Sequence, residues 1–169
     1  MKGSIVNKVA KSPIVTIDLE SFKTEGIKTF VDISQWLEGG LVLREKEFRN
    51  LLKNHNWVQY TNHYVALGCN SEVILPAWAT LLVTSYLSQY SKIVVLGSIK
   101  DLEKNLFFEK ISNLNLKPYE NKPIIIKGCS DMTIPEDAYI HLLQRLQTVV
   151  KSLFYGEACS SVPLWKAKK

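Results

Sequence analysis

Hydrophobic positions along the chain fall in short runs whose period changes near residue 40. Pro13-Ile-Val-Thr-Ile-Asp-Leu-Glu20 and Lys28-Thr-Phe-Val-Asp-Ile33 are rich in β-branched residues, and the Lys23-Thr-Glu-Gly26 turn signal between them predicts a hairpin. Gly39-Gly40 breaks that pattern. Beyond it Phe48, Leu51 and Leu52 make an apolar stripe on a charged segment, so residues 43–56 read as an amphipathic helix. Tyr64 to Leu67 reads as a strand. Pro76 suits a first helical turn, where its missing N–H costs nothing, and Leu81, Leu82, Tyr86 and Leu87 continue at helical spacing. Lys92-Ile-Val-Val-Leu-Gly97 follows as a buried strand.

The series then returns as a helix over 100–113, a strand over 123–127, a helix opened by Pro135 and a strand over 152–155. Strands alternating with helices of this length predict βαβ units. The expected fold is a layered α/β domain over residues 1–169, with a mainly parallel sheet, helices on both faces and residues 1–40 as a β-rich N-terminal extension.

The recurrence also shows residue by residue. At an offset of 59, Leu43 meets Leu102, Phe48 meets Phe107, Asn54 meets Asn113, Tyr60 meets Tyr119 and Asn62 meets Asn121. One inserted residue brings Gly68-Cys69 onto Gly128-Cys129, and a compensating deletion aligns Pro76 with Pro135, Leu87 with Leu146 and Gly97 with Gly156. An internal βαβ duplication, with halves over 43–98 and 102–157, accounts for these matches. The apolar positions and glycines that any two α/β units share would also account for them.

Composition narrows the class. With 46% hydrophobic and 22% charged residues the chain is globular rather than disordered. The N-terminus lacks the apolar run of about 7–15 residues that marks a signal peptide, and no stretch reaches the roughly 18 apolar residues of a membrane span. A cytoplasmic protein without a membrane partner is expected. The net charge of +5 is diffuse, and Lys166, Lys168 and Lys169 supply part of it from a basic tail. Without an Arg and aromatic interleave or a basic recognition helix, no nucleic-acid partner is expected.

The candidate chemistry is carried by three cysteines. An odd number at wide spacing makes no disulfide framework, and the absence of C-x-x-C argues against a zinc ribbon or a thioredoxin-like site. Cys69 and Cys129 fall in strand-to-helix loops, and Cys159 follows the last strand, so all three leave carboxyl ends of strands, where open α/β sheets bind ligands. If they converge, thiolates suit zinc or an iron–sulfur cluster, with Asp131 or Glu157 as a further ligand. His55 and His63 belong at the opposite edge, and His141 lies within a helix.

Helix starts at Pro76 and Pro135 would aim positive ends at Cys69 and Cys129, which favours a nucleophilic thiolate. Ser71 and Ser130 in the same loops could instead hold an anion, although neither nucleotide glycine motif is present. Each cysteine could also be a small core hydrophobe. Trp36, Trp57, Trp78 and Trp165 read as core or interface anchors, with Trp165 clamping the terminus or a second subunit of a homo-oligomer.

The stretches IVNKVAKS, TIDLE, KNHNWVQY, YVALGC, IIIKGCS and YGEACSSVPL resemble an uncharacterised bacterial family, domain of unknown function 2480. That resemblance implies an association with iron–sulfur cluster assembly proteins of the sulfur-mobilisation type, and it carries no established functional residue. The leading expectation is an accessory protein in cluster assembly or thiol-metal and sulfur handling, with Cys69, Cys129 and Cys159 as holders of metal or persulfide sulfur. The alternatives are a thiol-dependent enzyme with one nucleophilic cysteine, or an interaction module docking through Trp165 and the basic tail.

Overall fold

A computed structural model of the chain describes residues 14–127 and 134–168. The seven strands are β1 (Val15–Asp18), β2 (Lys28–Asp32), β3 (Tyr64–Gly68), β4 (Ile93–Leu96), β5 (Pro123–Lys127), β6 (Ser152–Glu157) and β7 (Ser160–Lys166). The four α-helices are α1 (Glu45–Asn54), α2 (Ala77–Leu87), α3 (Ile99–Ser112) and α4 (Glu136–Leu146). The fold is α/β. The chain divides into two compact units, a continuous one over Thr24–Asn105 and a discontinuous one built from Met1–Lys23 with Leu106–Lys169.

The continuous unit holds the sheet β2-β3-β4, parallel throughout. Its central strand β3 is apolar at Val65, Ala66 and Leu67, all buried, as a strand covered on both sides must be. Phe48 and Leu52 of α1, with Ala79, Val83 and Leu87 of α2, meet Val31, Val65 and Leu67 in one core. These helix residues recur at four-residue intervals, and that spacing gives each helix a single buried stripe.

The discontinuous unit holds the sheet β1-β5-β6-β7. The first three strands are parallel and β7 closes the edge antiparallel to β6. Ile17, Ile124, Ile126 and Leu153 pack with Phe107 and Ile111 of α3 and Ala138, Leu142 and Leu146 of α4. Each of the isoleucine, leucine and phenylalanine side chains contributes roughly 1.5–3 kcal/mol when removed from water.

The two units repeat one plan. Tyr64 pairs with Ile93 as Pro123 pairs with Ser152, and Thr29 pairs with Val65 as Val15 pairs with Ile124. Helices α2 and α4 each follow a capping proline, Pro76 or Pro135. Asn62 and Asn121 are the two non-glycine residues with positive φ among the described residues, at 64° and 56°. The Asn62 N–H donates to the Tyr90 carbonyl as the Asn121 N–H donates to that of Val149. These local features repeat at the offset of the sequence matches.

The N-terminal hairpin expected from the sequence is not formed. β1 pairs in parallel with β5, and β2 pairs in parallel with β3, so the two strands enter different sheets. The Asp18 carboxylate accepts from the Glu20 N–H and turns the chain into a short 3-10 helix, Leu19–Phe22, in place of a tight reversal. Asp32 does the same through the Ser34 N–H. The β-rich segment therefore supplies the first strand of each half.

An aromatic cluster lies before β3. His55 stands 4.6 Å from Trp57 and 5.1 Å from Trp36, and Trp57 stacks on Tyr86 at 5.2 Å. Burial holds His55 below its ordinary pKa of 6.5. Burial, with the Arg145 charge second, does the same for His141. Below pH 6.5 the unfolded chain takes up protons that the folded chain refuses, so this contribution is complete above that pH and is lost as pH falls. Urea midpoints measured at about pH 7.5 and about pH 5.5 are expected to drop for the wild type and to drop less for His55→Phe.

Candidate functional site

The carboxyl ends of the parallel strands carry the chemistry in each unit. In the continuous unit β3 ends at Gly68, directly before Cys69. A Cβ on Gly68 would lie 2.8 Å from the Phe30 ring and 3.2 Å from the Gly97 carbonyl, so close approach of the neighbouring strands requires glycine there. Gly68 pairs with Asp32 at the end of β2. Asp32 Oδ1 accepts from the Asn70 N–H at 3.1 Å, and Oδ2 accepts from Asn70 Nδ2 at 2.8 Å. The residues on both sides of Cys69 are thus fixed.

Burial pushes the Asp32 carboxyl upward, but hydrogen bonds from Asn70 and Ser34 outweigh it and hold the group below its ordinary value. Cys69 is a free thiol, half-buried, and packs with Leu75 and Trp78 against the core of this unit. Ser71 follows in the same loop, its Oγ 3.6 Å from where a Cβ on Gly40 would sit. Pro76 at the α2 cap supplies no side-chain hydrogen bond.

In the discontinuous unit three charged residues stand at the corresponding strand ends: Asp18 on β1, Lys127 on β5 and Glu157 on β6. Lys127 Nζ lies 3.5 Å from Asp18 Oδ2 and 3.7 Å from Glu157 Oε1. The Glu157 charge, then that of Asp18, raises the Lys127 pKa. Glu157 therefore balances a lysine. β6 and β7 are joined by the turn Ala158–Cys159, which leaves the free Cys159 thiol exposed at its tip. Gly156, with φ of 117°, opens this turn close to the Ser160 carbonyl.

Cys129, Ser130 and Asp131 lie outside the described residues. Cys69 belongs to one unit and Cys159 to the other. Among the described residues no group of three or more His, Cys, Asp or Glu side chains is arranged to hold a metal ion. A zinc or iron–sulfur donor set is therefore not assembled by the described residues alone.

The histidines fall where the sequence placed them. His63 precedes β3 with Nδ1 3.0 Å from Thr29 Oγ1, and His55 follows α1 at the same end. His141 lies in α4, 3.0 Å from Ser112 Oγ and stacked on Phe108 at 4.2 Å. Its role there is packing. Sequence reasoning missed Asp18, Asp32, Asn70 and Lys127. The available signal was an aspartate set between apolar residues in both Ile17-Asp18-Leu19 and Val31-Asp32-Ile33, where a strand gives way to a turn.

No described helix is long and apolar enough to cross a membrane. Comparison with known families matches residues 3–167 to one described as "Protein of unknown function (DUF2480)". No curated protein and no solved structure matches the chain.

Proposed function

The chain belongs to the DUF2480 family, and from that premise we propose that it is a cytoplasmic accessory protein of thiol-based sulfur and metal handling, serving iron–sulfur cluster assembly. Cys69, Cys129 and Cys159 are the holders. The observation that carries this reading is the placement of the free thiols: Cys159 is exposed on a turn at the carboxyl end of β6, and half-buried Cys69 directly follows β3. An exposed thiol on a turn can be reached by a partner protein, which a thiol sealed in a core cannot.

Sulfane sulfur needs only one such thiol. The Cys159 thiolate attacks the outer sulfur of a donor persulfide, the donor's S–S bond breaks, and the donor leaves as its thiolate while Cys159 becomes the persulfide. The exchange has no net oxidation. A soft metal would need further donors, and Cys129 with Asp131 are the residues assigned to that task.

The test is differential alkylation. The reduced chain is treated with iodoacetamide alone, after zinc, or after a small-molecule persulfide donor, and each cysteine peptide is quantified. Protection by zinc that includes Cys129, or a trapped persulfide on Cys159, is the expected result. One cysteine alkylated far faster than the other two, with no protection and no added sulfur, would instead mark a catalytic nucleophile. Uniform slow labelling under all three conditions would make the thiols structural.

A further inference from the structure

The edge of the discontinuous unit opposite its thiol end holds a cavity of about 640 Å³. β5 and β6 begin there and β7 ends there, and this brings Lys122, Lys151 and Lys166 onto one rim. Their backbones are fixed side by side: the Lys151 N–H donates to the Lys122 carbonyl at 2.9 Å, and the Ala167 N–H donates to the Lys151 carbonyl at 3.0 Å. Among the described residues lining the cavity none is acidic. Lys122 Nζ donates to the neutral Pro118 carbonyl at 2.7 Å.

The apolar part of the lining is Phe154, Pro163, Leu164 and Trp165, the last also packed against the core of this unit. A β-bulge shapes it. Leu153 pairs with Trp165 while Phe154 pairs with Pro163, so Leu164 is an extra residue that re-aims the end of β7. The repeated plan sharpens the contrast. At the corresponding edge of the other unit His63 stands where Lys122 does, Lys92 lies over the Tyr64 ring at 5.0 Å, and the sheet ends at β4 with no partner like β7 among the described residues. The three-lysine rim and its apolar lining are therefore an addition to the shared architecture.

We propose that this cavity binds a small amphipathic carboxylate, with its charged end on the lysine rim and its apolar body on Phe154, Pro163 and Trp165. Clustered ammonium groups with no acidic residue among the described lining select an anion, and the apolar lining selects an apolar body. The volume lies within the roughly 300–1,000 Å³ of small-molecule sites. An alkyl acid and an aryl acid share this chemistry.

The test uses the whole chain labelled with nitrogen-15, following the Trp165 indole N–H assigned from Trp165→Phe. Sodium octanoate is expected to shift that resonance saturably. Octanamide on wild type, and octanoate on the Lys122→Gln/Lys151→Gln/Lys166→Gln variant, are each expected to bind about tenfold more weakly. Equal binding of octanamide and octanoate by wild type would overturn the carboxylate specificity. Equal octanoate binding by a folded triple variant would overturn the lysine rim. The absence of any Trp165 shift at about 10 mM octanoate, or tighter binding of an acidic peptide, would overturn the site as a small-molecule pocket.

Discussion

Phe48→Ala is expected to lower stability by about 3–5 kcal/mol, and Phe107→Ala by the same order. The two rings occupy one position of the repeated plan, 59 residues apart, and are 0% and 1% exposed. Each is set by its helix among the strand residues of its own core: Phe48 with Val31, Val65 and Leu67, and Phe107 with Ile17, Ile124 and Ile126. Removing either ring loses its transfer free energy and leaves a cavity that rigid strands cannot close. Leu51→Ala, one turn along α1 at a position 46% exposed, is the matched control and is expected to change stability by less than about 0.5 kcal/mol. Urea midpoints at unchanged m decide the matter. A Phe107→Ala cost under about 1 kcal/mol would show that the two halves do not share a core plan.

The second large effect is expected at Asp32. Replacing it with alanine removes the acceptor for the Ser34 N–H and both bonds to Asn70, at 3.1 and 2.8 Å, at a cost of about 1–2 kcal/mol. The same change frees the residue after Cys69, so iodoacetamide labelling of Cys69 is expected to rise severalfold while Cys159, in the other unit, keeps its rate. The pH dependence has a definite sign. Because the folded carboxyl lies below its ordinary value of 3.8, its contribution is present above that pH and is lost as pH falls through the folded value. Asp32→Ala should flatten that part of the acid limb. Unchanged labelling of Cys69 would show that the Asp32 clamp does not govern access to the thiol.

Much of this structure was legible in the sequence because it is local. The stripe of Phe48 and Leu52, the proline before each of α2 and α4, and the apolar runs Tyr64–Leu67 and 123–127 announce their elements within a few residues. The offset of 59 was equally visible, and it marks positions with the same register and the same positive-φ asparagine. What the sequence hid is non-local. Nothing in Pro13–Glu20 or Lys28–Ile33 says which sheet each strand enters, and the turn signal between them suggested a partner that neither takes. β7 was missed because Pro163 interrupts a run that would otherwise read as a strand, although an edge position tolerates it.

The candidate site divides in the same way. Cysteines at strand ends could be read from the loops that follow each apolar run. The clamp of Asp32 on Asn70, and the Lys127 bridge between Asp18 and Glu157, join residues brought together only by strand register, so no spacing within the chain marks them. The lysine rim is likewise assembled from three strand ends.

The most direct measurement for the thiol assignment is metal and sulfane sulfur per chain, on protein purified without oxygen and without a metal-binding tag. It is made before and after incubation with a persulfide donor, for wild type, Cys129→Ser and Cys159→Ser. Wild type is expected to carry stoichiometric metal or sulfane sulfur that at least one of these variants loses. Wild type that holds neither, even after the donor, would contradict a role in sulfur or metal handling.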